Sequence, residues 1–140
     1  MAALDLVFIA CNAVALVGWV ALIALPRTRF AATIAASMWP SLAIAAVYST
    51  LVIVTLFAGG SDGDFFSLDG VSRLFTNRTV VTAAWIHYLA FDLAVGAWMF
   101  RHARAVGLAH RWLAPCLLAT LWVGPLGFLA FRLVLWRRGF

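Results

Sequence analysis

The chain has 140 residues, of which 66% are hydrophobic and 11% charged. A soluble domain is about 45–50% apolar, so water is excluded as the main solvent, and a single membrane domain with no separate soluble one is expected. The net charge of +5 comes from ten arginines and five aspartates, without lysine or glutamate; arginines scattered at helix ends serve orientation and anionic-lipid contact, which argues against a nucleic-acid partner.

A spanning helix needs about 20 apolar residues. The expected architecture is an all-α integral membrane four-helix bundle, with a short amphipathic helix between the second and third spans. The N-terminal stretch lacks a basic n-region, carries Asp5, and has an apolar run longer than the usual 7–15 residues of a signal sequence. It reads as a retained first span over about residues 4–25, ended by Pro26. The second span is expected over about residues 40–57. Pro40 opens it, since proline suits a first helical turn, and Gly59-Gly60 stops it. The preceding "FAATIAASMW" is either an interfacial lead-in or a kinked extension.

The long connection that follows repeats apolar residues at helical spacing: Leu68, Val71, Leu74 and Phe75. Ser67 is placed as N-cap of a surface helix, and a cavity is expected to open near it. The third span covers about residues 80–100 and the fourth about 115–136. Pro125, within "GPLG", removes a backbone donor and kinks the fourth span. The Leu121 carbonyl then lacks its usual partner, and lipid cannot supply one, so this face should turn inward. With four spans the arginines divide almost evenly between the two sides, which decides no orientation. Arginine- and alanine-rich composition suggests a GC-rich bacterial genome, hence a bacterial inner membrane. Trp19, Trp39, Trp112 and Trp136 fall near span ends, as interface belts do.

Chemistry concentrates in the third span, in "WIHYLAFDLAVGAW". An ionised carboxylate at mid-bilayer costs roughly 2.5–3.5 kcal/mol on insertion scales. Asp92 must therefore face the interior, find a partner or be protonated, and burial favours the neutral acid. It is either a proton donor or a structural knot bonded to Asn12 or to a hydroxyl of the second span. His87 lies about 140° around the helix from Asp92, so the two could line two flanks of one cavity. Histidine suits proton shuttling; a satisfied core residue and a haem ligand are the alternatives. Tyr88 is one turn before Asp92 and shares its face. Trp85, Phe91, Trp98 and Trp122 lie deep enough to wall a pocket for a flat or polyene lipid, with Asn12 as a polar contact; ordinary helix packing is the alternative for each. Cys11 and Cys116 read as free buried thiols, not a disulfide. His102 and His110 fall in a loop, and no histidine–carboxylate cluster suggests a metal or cofactor.

Three segments, "FSLDGVSRLFTN", "AAWIHYLAFDLAVGAW" and "APCLLATLWVGPLGFLAF", resemble the abscisic-acid-deficient-4-like family of small membrane proteins, over roughly residues 65–131. Plant members are associated with forming neoxanthin from violaxanthin in plastid membranes. That isomerisation opens an epoxide on a carotenoid end group and yields an allene, without net redox change. The resemblance implies a membrane-embedded isoprenoid- or carotenoid-handling protein that needs no redox cofactor. The chemistry would use Asp92 as acid, His87 as base and Tyr88 to position one of them. The rival is a non-catalytic binder of lipid or carotenoid, or a scaffold subunit of another membrane enzyme; a proton-linked transporter is third. Expected partners are a hydrophobic isoprenoid, the bilayer, and a second copy or another membrane enzyme. Ala97, His102 and Phe131 depart from the family pattern, which has an arginine, an acid and a tyrosine there.

Overall fold

The computed structural model describes residues 3–58 and 63–140. Among these residues there are six α-helices and no strand: α1 (Ala3–Ala24), α2 (Arg29–Ser37), α3 (Trp39–Ala58), α4 (Leu68–Leu74), α5 (Arg78–Ala105) and α6 (His110–Arg138). The expected stop at Gly59-Gly60 lies outside the described residues. α1, α5 and α6 are each long and apolar enough to cross a membrane. A fourth candidate is the pair α2 and α3, bent by 42° at their junction. The "FAATIAASMW" segment is thus a kinked extension. Thr28 caps α2 by accepting from Ala31 N at 3.2 Å, and Met38 ends it in the left-handed region at φ 53°. Arg101 donates to the Ala35 carbonyl and so satisfies part of that helix end.

α5 is the hub. It lies against α3, α1, α6 and α2, and its small residues set how closely they approach. A Cβ on Gly96 would stand 2.7 Å from the Trp19 ring, and one on Gly18 would stand 2.7 Å from a Leu93 methyl. Small residues at such crossings let helices pack without a hydrophobic driving force between them. Trp19 is consequently buried in the core, not at the membrane interface where its place near a span end had put it. At the α4 end of the bundle, Arg78 pairs with Asp5 and joins the starts of α5 and α1. Ser67 caps α4, accepting from Gly70 N at 2.9 Å. Of the apolar face expected on α4, Leu74 is buried while Leu68 and Phe75 stay exposed.

α6 departs most from expectation. At 1.5 Å rise per residue, a continuous helix would separate residues 112 and 138 by roughly 39 Å. Instead the Arg138 guanidinium stands 3.9 Å from the centre of the Trp112 ring. The helix breaks at Val123 (φ −142°, ψ 48°) and Gly124 (φ 7°, ψ −81°), and the chain doubles back. The contacts with α5 run in the same sense. Tyr88 reaches Leu121 and Asp92 faces Gly124. Further along α5, Trp98 meets Phe128 and Phe131, and His102 meets Phe131. Residues 125–138 therefore travel with α5, back toward the end where α6 began. Gly127 lies against Thr120 so closely that a Cβ would collide with the Thr120 backbone. α6 is a helical hairpin whose second arm returns toward its own start, so the expected fourth span is not one continuous helix. Pro125 marks the break as expected, but the turn is a reversal and not a kink.

Candidate functional site

Asp92 lies half-way along α5, and its carboxyl faces the tip of the α6 hairpin. A Cβ on Gly124 would stand 2.5 Å from Asp92 Oδ1 and 2.8 Å from Oδ2, so a glycine is what lets the tip come up against the acid. Asp92 Oδ2 is buried without a hydrogen-bond partner. The tip also begins the helical arm 125–138, whose first N–H groups lack intrahelical acceptors and give that end a partial positive charge. A carboxyl group is electrostatically favoured there, in either a hydrogen-bonded or an ionised state.

Tyr88 stands one turn earlier on the same face. Its hydroxyl donates to the Leu121 carbonyl at 3.1 Å, which places the ring beside the acid at the hairpin tip. This is the carbonyl orphaned by Pro125. In a bilayer an unsatisfied carbonyl costs several kcal/mol, so Tyr88 stabilises the broken helix next to the acid.

Two flanks leave this centre. On the α1 side, Asn12 Oδ1 accepts from Trp85 Nε1 at 3.2 Å, and Asn12 Nδ2 donates to the Phe8 carbonyl at 2.7 Å. Asn12 is thus engaged with Trp85 and Phe8, and the hydrogen bonds it makes do not knot it to Asp92. Trp85 lies 5.5 Å from the Tyr88 ring, which continues the wall from Asn12 to the acid. On the α3 side, His87 stacks on Phe91 at 4.6 Å and meets Tyr48 edge-on at 5.0 Å. His87 is exposed and directed toward α3, so the structure does not bring it onto Asp92.

Trp122 adjoins the tip and is 79% exposed, a large apolar ring presented to the bilayer. Trp98 lies further along α5, stacked on His102 and packed against the returning arm; it holds the hairpin and does not line the acid. Ala97 and Phe131 are buried beside it. A cleft of about 690 Å³ opens at the end of the bundle opposite α4, between Arg27, Thr28, Phe100, Arg104 and His110. Among the described residues no group of three histidine, cysteine or acidic side chains is placed to hold a metal ion. Cys11 and Cys116 are free and buried.

Sequence reasoning missed Tyr48 as the neighbour of His87, and missed the close-approach roles of Gly124 and Gly127. The signal for the glycines was present in "GPLG", whose two glycines flank the proline on both sides.

Long apolar helices, a doubled-back α6 and a carboxyl group against its tip are those of an all-helical membrane protein with a polar site half-way along its central helix. The chain belongs to the ABA DEFICIENT 4-like family, whose profile matches residues 6–131. The match takes in α1 to α3 as well, beyond the segments whose motifs carry the resemblance. No curated protein and no solved structure matches the chain.

Proposed function

We propose that the protein handles an isoprenoid or carotenoid inside the bilayer and isomerises it by proton transfer at Asp92. The observation that carries this reading is the buried, unpartnered Asp92 Oδ2 at the tip of a broken helix, in a chain of this family. A lone acid in hydrocarbon is expensive when ionised, and its neutral form is a proton donor. Opening an epoxide to an allenic alcohol adds a proton at oxygen, breaks a C–O bond and removes a proton from a neighbouring carbon. One carboxyl group can do both: one oxygen gives its proton, the resulting carboxylate takes the other, and Asp92 returns to its starting state. Tyr88 holds the carboxyl in place. Asn12, Trp85, Phe91 and Trp122 form the wall along which a polyene lies. His87 serves as the base only for a substrate that reaches across the outward face of α5; Trp98 touches only one that runs along the returning arm.

A second reading, a non-catalytic carotenoid or lipid binder that associates with another membrane enzyme or a second copy, is favoured by the separation of His87 from Asp92. The experiment uses full-length protein purified in mild detergent from a carotenoid-producing host, with extracted polyenes identified by mass spectrometry. Asp92→Asn should retain the bound polyene and lose turnover by about 100-fold or more, the usual contribution of a positioned acid. His87→Ala should lose much less. If both variants convert the polyene at the normal rate, the acid–base reading is wrong and the binder takes its place.

A further inference from the structure

The hairpin in α6 changes which residues share an end of the molecule. Arg27 follows α1 and Arg29 opens α2; Arg101, Arg104 and Arg111 surround the turn from α5 to α6. The returning arm brings Arg137 and Arg138 to the same place, with Arg138 over the Trp112 ring. Arg132 adjoins Phe131, whose ring meets His102 in the last turn of α5. This end gathers all of the arginines except Arg73 and Arg78. Those two are paired at the α4 end, Arg73 with Asp64 and Arg78 with Asp5. Among the described residues no aspartate lies at the arginine end: Asp5, Asp64 and Asp69 are at the α4 end and Asp92 is half-way along α5. The asymmetry comes from the fold, because a straight α6 would return three arginines to the other side.

We propose that the arginine end is an anionic-phospholipid-binding face lying on the cytoplasmic leaflet, with the cleft between Arg27 and Arg104 as the seat of a headgroup phosphate. Several observations support this. Excess arginine near span ends is retained on the cytoplasmic side, so the chain crosses three times with its N-terminus outside and its C-terminus inside. Cytoplasmic leaflets carry anionic lipid, and each nearby Lys or Arg strengthens the attraction about fivefold. The cleft of about 690 Å³ has Arg27 and Arg104 at its rim and Phe100, Leu108 and Leu113 within it, a charged mouth over an apolar floor that suits a headgroup and its first methylenes. Arg104 rests on the Phe100 ring at 5.7 Å. His110 donates to the Ile23 carbonyl at 2.9 Å, which ties the two turns together and fixes the cleft. The inference is independent of the chemistry at Asp92.

The test has two arms on the full-length protein, with Cys11 and Cys116 changed to alanine. First, single variants Ser72→Cys, Ala105→Cys and Phe140→Cys are expressed in a bacterial host and exposed to a membrane-impermeant maleimide. The expected result is labelling from outside at position 72 only. Labelling of 72 and 140 together would show that α6 crosses the membrane, and labelling of 105 and 140 without 72 would put the face outside; either overturns the proposal. Second, delipidated protein in detergent is titrated with phosphatidylglycerol or phosphatidylcholine, and bound lipid is counted by native mass spectrometry. Phosphatidylglycerol should bind about tenfold or more tightly, and Arg27→Gln/Arg104→Gln should weaken it by roughly 30-fold, at about fivefold per arginine. Equal binding of the two lipids, or binding unaffected by the double variant, overturns the headgroup site.

Discussion

A methyl group on Gly124 would meet the Asp92 carboxyl, at 2.5 Å from Oδ1, and the two residues therefore constrain each other. Overfilling a packed site costs about 1–3 kcal/mol, and Gly124→Ala should destabilise the protein by that amount. The obstacle is a side chain, not backbone, so it can be removed: in an Asp92→Ala background the same Gly124→Ala change should cost little. A double-mutant cycle on thermal or denaturant unfolding in detergent should give a coupling energy of at least about 1 kcal/mol, as touching residues do. Simple additivity would mean that the acid does not sit against the tip. Gly127 differs in kind, because what its Cβ would meet is the Thr120 backbone, and no single side-chain deletion would relieve it.

The helical elements were largely legible in the sequence, and the reasons are physical. Hydropathy over 20 residues locates α1 and α5 because lipid penalises any exposed polar backbone. Pro125 likewise announced a lost hydrogen bond and an orphaned Leu121 carbonyl, and Tyr88 satisfies that carbonyl. What proline does not encode is the angle of the break. The reversal depends on the unusual backbone at Val123 and Gly124 and on Gly127 letting the two arms touch, and these are settled only when α5 is in place. The site was partly legible for the same reason. The separation of His87 and Asp92 by about 140° follows from helix geometry; whether two flanks share one cavity depends on what packs there, and Tyr48 of α3 holds His87 apart. The hairpin itself is measurable. Spin labels on Arg111→Cys and Arg137→Cys should be roughly 10–20 Å apart, since packed helices lie 8–10 Å from one another. A continuous α6 would place them at roughly 39 Å.

For the whole molecule, the hairpin sets what surrounds the acid. Asp92 lies 14 residues from the start of α5 and 13 from its end, roughly 20 Å from each at 1.5 Å per residue. The tip, Asp92 and Tyr88 thus lie near the bilayer centre, far from either aqueous surface. Trp122, Phe91 and Trp85 are exposed around them, so the hydrophobic ligand of the proposed function would arrive sideways from the membrane, and the cleft at the arginine end is too distant to serve as its entrance. Trp122 reports this depth directly. In vesicles whose lipids are brominated near the chain ends, the intrinsic tryptophan fluorescence should be strongly quenched, and Trp122→Phe should remove a disproportionate part of that quenching. Lipids brominated close to the headgroup should quench the interfacial Trp112 and Trp136 instead, and the Trp122→Phe change should leave that component unaltered. Equal loss of both components would place the hairpin tip near the interface, and the acid with it, within reach of water-borne substrates.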